Sequence, residues 1–164
     1  MKRIILFLTT VFLLVSIVCA NGNEAEKFSA KGELSNMKIS IQITSDSGSH
    51  TLFATLADNS SATAFYTLLK KEPLTVDMHD YGNFEKVGSL GTSLPRNDTQ
   101  ITTTAGDIIL YQGNQITIYY DTNSWNFTRL GKVVSTSSTT SITQAELKKI
   151  LGKGNVTVVF EILR

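Results

Sequence analysis

Residues 37–44 read as a strand. Met37, Ile39, Ile41 and Ile43 alternate with Lys38, Ser40, Gln42 and Thr44, and a two-residue period sends successive side chains to opposite faces of a pleated backbone. Asp46-Ser47-Gly48-Ser49 follows with turn chemistry, and residues 51–56 return as the second arm of a hairpin. Residues 108–111 and 116–120 flank Gln112-Gly113-Asn114 and predict a second hairpin. Residues 127–134 form a further strand, and Val156, Val158, Phe160 and Ile162 alternate near the end of the sequence.

Two segments break this period. In residues 60–70, Ala62, Phe65, Leu68 and Leu69 share one helical face, Asp58 or Asn59 can cap the start, and Pro73 lies just past the end. In residues 144–151, Thr143 and Glu146 make a capping box, so that each side chain satisfies a backbone N–H at the helix start. Leu147, Ile150 and Leu151 face a core there, and Gly152 can adopt the left-handed conformation that ends a helix. Many short strands expose many edges unless the sheet closes on itself. The expected fold is therefore mainly β: a closed barrel of about eight strands with two short capping α-helices. The helices are too few and too irregularly spaced for a repeating strand–helix sheet.

Composition agrees with one folded domain over residues 37–164. The chain has 164 residues, 41% hydrophobic and 18% charged, which suffices for a sizeable core. Its formal charge is +1 without any block of like charges, so no nucleic-acid partner is expected, since phosphate neutralisation needs a basic patch.

The first twenty residues follow different rules. Lys2 and Arg3 precede an apolar run over residues 4–18, and Val18-Cys19-Ala20 places small residues where a signal peptidase reads. Residues 1–20 are expected to be a secretory signal cleaved after Ala20, giving a secreted or periplasmic protein. The alternatives are a lipid anchor at Cys19 and an uncleaved N-terminal membrane anchor. The apolar run is shorter than the roughly 20 residues a spanning helix needs, and no spanning segment is expected in the mature chain. Residues 21–36 are polar and aperiodic, as in a solvated linker. Cleavage would remove Cys19, leaving a cysteine-free domain held by its core alone. Residues 135–141, STSSTTS, read as a surface loop.

Titratable side chains crowd into residues 74–94. Leu74, Val76 and Met78 alternate, and Asp77, His79, Asp80, Tyr81, Glu85 and Lys86 then follow within ten positions. Met78, Asp80, Tyr81 and Glu85 can line a pocket, with Asp80, Glu85 and His79 as acid–base groups or ligand anchors. The plainer account makes residues 80–83 a turn and leaves Glu85 and Lys86 in solvent. A second concentration comprises Tyr111, Tyr119, Tyr120, Trp125 and Phe127. These can form an apolar ligand wall with Arg129 as its polar handle, although alternation places some of them in the core. His50 and His79 fall in different elements, so no metal site is expected. No glycine-rich phosphate loop and no Gly-x-Ser-x-Gly elbow is present, and no cofactor is expected.

A set of spaced residues ties the whole domain together. They are Asp58-Asn59, Phe65, Leu68-Leu69, Met78-x-Asp80-Tyr81, Glu85-Lys86-Val87-Gly88, Leu94-Pro95, Gly106-Asp107-Ile108, Leu110-Tyr111, Tyr119-Tyr120, Trp125 and Thr128-Arg129-Leu130-Gly131. In this order and spacing the chain resembles the bacterial cyclophilin-like domain family. The resemblance implies a cyclophilin-type barrel of eight main strands and two capping helices. It does not imply an activity. True cyclophilins are peptidyl-prolyl isomerases with Phe and Arg on one strand followed by Phe-Met-x-Gln, and neither pattern occurs here. An isomerase must stabilise a twisted amide against a barrier of about 18–20 kcal/mol. Of Arg96, Arg129 and Arg164, only Arg129 lies on a predicted strand. Some relatives join this domain to a flavodoxin domain. No flavin-phosphate loop is present here, so a redox partner would be a separate protein. The expectation is an exported module that binds a small molecule or short peptide, with a divergent prolyl isomerase using Arg129 and the neighbouring aromatics as the alternative.

Overall fold

The computed structural model describes residues 37–134 and 141–163. The signal-like segment, the polar linker and most of the Ser/Thr run lie outside the described residues. In chain order the elements are β1 (Lys38–Ser45), β2 (Gly48–Leu56), α1 (Ser60–Lys71), β3 (Leu74–Tyr81), β4 (Glu85–Ser89), β5 (Thr99–Thr102), β6 (Asp107–Tyr111), β7 (Gln115–Tyr119), β8 (Ser124–Val134), α2 (Gln144–Leu151) and β9 (Val156–Ile162). All strand pairings are antiparallel, in the order β2-β1-β9-β3-β4-β7-β6-β8, and β2 pairs with β8 to close an eight-stranded barrel. The ninth strand, β5, stands outside the ring and pairs only with the start of β8, Thr99 opposite Phe127 and Thr102 opposite Ser124.

Alternation decides what fills the barrel. Ile39, Ile41 and Ile43 of β1, Val76 and Met78 of β3, Ile108 and Leu110 of β6, Ile116 and Ile118 of β7, and Val156, Val158 and Phe160 of β9 belong to one interior cluster. Full burial of each such side chain stabilises the fold by about 1.5–3 kcal/mol relative to exposure. The helices close opposite ends. α1 follows β2 and leads into β3, setting Phe65 against Phe160 with ring centroids 5.7 Å apart. α2 leads into β9 at the other end and buries Leu147 and Leu151. Asn59 caps α1, accepting from the Ala62 N–H at 2.8 Å. Thr143 and Glu146 form the full capping box on α2, and Gly152 follows with φ 60°.

Two strands depart from the sequence reading. β8 starts at Ser124, three residues before the expected strand, because its polar first residues pair with β5. β5 itself has no period to betray it: Thr99, Gln100 and Thr102 are exposed and only Ile101 packs. Trp125, which precedes the expected strand over residues 127–134, therefore sits within a strand, opposite Ile101.

Candidate functional site

The residues that point away from the barrel interior build the site. Ile109, Tyr119 and Phe127 form a second buried cluster on the outer face, with Phe84, Ile101 and Tyr111 against it. They sit one residue out of phase with the interior positions Ile108, Leu110 and Ile118, as the pleat requires. Five rings run in a continuous chain across this surface. Tyr81 meets Phe84 at 6.1 Å, Phe84 lies nearly parallel to Tyr119 at 5.9 Å, Tyr119 meets Phe127 at 5.6 Å, and Phe127 meets Tyr111 at 6.4 Å. Contacts of this kind hold aromatic side chains in fixed orientations. Gly82 and Asn83, with φ of 57° and 59°, make the β3–β4 turn that presents Phe84 to the cleft. A side chain on Gly82 would strike the Phe84 ring.

Above these rings opens a cleft of about 650 Å³, lined also by His79, Glu85, Val87, Gly88, Ser89, Gln115, Asn123 and Trp125. Trp125 is 61% exposed and forms its outer rim. Glu85 lies opposite both Tyr81 on β3 and Tyr119 on β7, so three strands fix its position. It is only 7% exposed, and its Oε2 makes no hydrogen bond within the protein. Thr117, two residues before Tyr119 on the same outer face, is likewise buried with an unpaired Oγ1. Burial pushes the Glu85 pKa up, and the nearby hydroxyls of Tyr119 and Thr117 oppose the shift without cancelling it. Burial and the facing Glu85 carboxyl raise the Tyr119 pKa in turn.

Of the eleven positions singled out in the sequence, His79, Tyr81, Glu85, Tyr111, Tyr119, Trp125 and Phe127 meet at this cleft. The other four are elsewhere. Met78 is an interior core residue. Asp80 and Tyr120 lie at the α2 end of the barrel, in a polar hollow with Asp46, Lys148 and Lys153. Asp80 there pairs with Lys86 at 2.8 Å and accepts from the Tyr120 hydroxyl at 3.0 Å and the Gly154 N–H at 3.0 Å. Lys86 is fully buried and also donates to the Gly154 carbonyl at 2.6 Å. Burial works against the Asp80 charge, but the hydrogen bonds from Lys86, Tyr120 and Gly154, with the Lys86 charge, outweigh it and hold its carboxyl below the usual range.

Arg129 does not line the cleft. It faces outward opposite Ile109, where its Nε lies 3.3 Å from buried Asp107, which also holds Lys132 at 3.2 Å. A bulge between Ile108 and Ile109 shifts β8 against β6 and sets this pairing. Phe84 and Thr117 were not singled out in the sequence. Thr117 shares the parity of Tyr119, which is the signal that would have found it, whereas Phe84 lies in a turn where parity fails. Among the described residues, no group of three or more His, Cys, Asp or Glu is placed to hold a metal ion. No helix among them is long and apolar enough to cross a membrane.

The family model for the cyclophilin-like family matches residues 45–161, from the first hairpin through β9. The chain belongs to the cyclophilin-like family. No curated protein matches it. Among solved structures, this cyclophilin-like chain is similar to the solution structure of a hypothetical protein from Archaeoglobus fulgidus. Identity is 13%, the TM-score is 0.55, and the match covers 79% of this chain and 96% of that one. At that identity the likeness speaks to the fold alone.

Proposed function

We propose that this cyclophilin-like domain is an exported binding module that holds a small molecule or short peptide in the aromatic cleft without catalysing a reaction. The observation that carries the reading is the unpaired, buried carboxyl oxygen of Glu85 at a concave, aromatic-walled surface. An unsatisfied buried polar atom costs about 1–3 kcal/mol, and a bound ligand that completes it recovers that cost. Concave sites with apolar walls and few converging polar groups are where small ligands bind. Export rests on Lys2, Arg3, the apolar run over residues 4–18 and the small residues at Val18-Cys19-Ala20.

The isomerase alternative needs a donor beside the prolyl nitrogen, and Arg129 is held on Asp107 instead. A fragment and proline-peptide screen by amide chemical shifts tests the binding reading. Binders should shift the amides of Glu85, Tyr111, Tyr119 and Trp125. Shifts confined to the hollow at α2, or none at millimolar ligand, would refute it. Accelerated cis–trans exchange of a prolyl peptide, abolished by Arg129→Ala, would replace it with the isomerase.

A further inference from the structure

The charge and surface of the cleft point to a class of ligand. Its described lining residues include one carboxylate, Glu85, and no lysine or arginine. The two arginines nearest in sequence to its walls are each held by an aspartate, Arg96 by Asp98 and Arg129 by Asp107. The remaining titratable groups that face it are His79 and Tyr81 from β3, Tyr111 from β6 and Tyr119 from β7. A ring face carries partial negative charge, so aromatic walls attract cations, and they do so most strongly when water is excluded.

We propose that the cleft takes a cationic ligand head, an alkylated ammonium group, with Glu85 as its counter-charge and Phe84, Tyr111, Tyr119, Trp125 and Phe127 as its walls. This rests on the reading of the cleft as a ligand site and names its ligand class. The polar inventory favours alkylated nitrogen over a free ammonium. A primary ammonium brings three N–H donors that each need an acceptor once desolvated, and the buried side-chain oxygens left without a partner at this face are two among the described residues, Glu85 Oε2 and Thr117 Oγ1. A trimethylated head brings none, and its apolar methyl groups lie against ring faces. Its charge also stabilises the ionised form of Glu85, which burial alone disfavours.

Choline and its uncharged isostere 3,3-dimethylbutan-1-ol make the test, because they share a shape and differ in charge. The purified protein is titrated with each by amide chemical shifts at about pH 8, which favours ionised carboxyl groups. Choline should shift the cleft amides and bind at least about tenfold more tightly than the alcohol. Glu85→Gln should bring the ratio towards one. Trp125→Leu keeps apolar area at an exposed position and should weaken choline by about threefold to tenfold while sparing the alcohol. Should Glu85→Gln fail to fold, Trp125→Leu still decides the question. Equal binding of the two probes, or a choline preference unchanged in the variants, overturns the proposal while leaving the cleft a ligand site. If neither probe nor any neutral aromatic fragment perturbs the cleft amides, the cationic assignment and the binding reading fall together.

Discussion

Glu85 and Asp80 show how two carboxylates five positions apart in sequence acquire opposite behaviour. Their side chains leave paired strands β3 and β4 on opposite faces, Glu85 outward under aromatic rings and Asp80 towards Lys86 at the barrel end. The raised pKa of Glu85 means the folded state holds its proton more firmly than the unfolded chain. Its contribution to stability is therefore intact in acid and is lost as pH rises through the raised value. Glu85→Gln does not titrate. Its melting temperature should match that of the wild type near pH 4 and exceed it increasingly towards neutral pH, as thermal melts across a pH series would show. A constant difference across the series would contradict this. Asp80 has the opposite sign: its lowered pKa stabilises the fold above the unfolded value, and that contribution disappears as pH falls through the lowered one. Asp80→Asn leaves the fully buried Lys86 ammonium without its counter-charge. A loss of about 2 kcal/mol is expected in urea unfolding at neutral pH, below the usual cost of a broken buried pair because Asp80 is partly solvent-screened. The gap should narrow in acid.

At the scale of elements, α2 is only eight residues long, too short to persist without packing and caps. Thr143 supplies one of them, accepting from the Glu146 N–H at 3.2 Å while Glu146 returns a contact to the Thr143 N–H at 3.0 Å. The Thr143 hydroxyl and N–H also hold the Glu146 carboxyl below its usual range. Thr143→Ala should cost about 1 kcal/mol. Hydrogen exchange should quicken first in α2 and in residues 152–155, since Gly154 ties that loop to Asp80 and Lys86. Uniform quickening over all strands would mean that α2 does not open separately. β5 is the contrasting element. Its four residues are held by the pairing with β8 and by Ile101 against the outer cluster, so its strand conformation depends on β8.

Barrel closure belongs to the whole molecule. Among the described residues, the seam between β2 and β8 runs over four residue pairs, from Phe53 opposite Val134 to Leu56 opposite Gly131. A Cβ on Gly131 would stand 2.6 Å from the Thr55 carbonyl oxygen and 3.1 Å from the Leu56 side chain. The first neighbour is backbone within the seam, so it cannot move aside without disturbing the pairing. Gly131→Ala should destabilise by about 2 kcal/mol, and the amides of residues 53–56 should lose protection before those of β3 and β9. An unchanged midpoint in denaturant would show that the seam has slack. Closure also gives the cleft its rigidity. Tyr81, Glu85, Tyr119 and Tyr111 come from β3, β4, β7 and β6, which are consecutive in the ring, and fixing those strands fixes the rings above them.

The sequence by itself determined the local features. Alternation at Ile39, Ile41 and Ile43, the caps at Asn59 and Thr143, and the turn at Gln112-Gly113 are short-range consequences of pleat and backbone geometry, and they led to a closed barrel with two helices. The ordered set of spaced residues identified the family in the same way. Grouping of the site residues was decided by tertiary structure. Neighbours in sequence on a strand face opposite sides, so the crowding of residues 77–86 split between the barrel end and the outer cleft. Tyr81, Glu85 and Tyr119 met instead through cross-strand register, which depends on which strands pair. Arg129 shared its strand with Trp125 and Phe127, yet the bulge in β6–β8 and the buried Asp107 claimed it for an ion pair. The unpaired oxygen of Glu85 is likewise a property of the packed molecule, because burial and the absence of a partner exist only once β3 and β7 have paired on either side of β4.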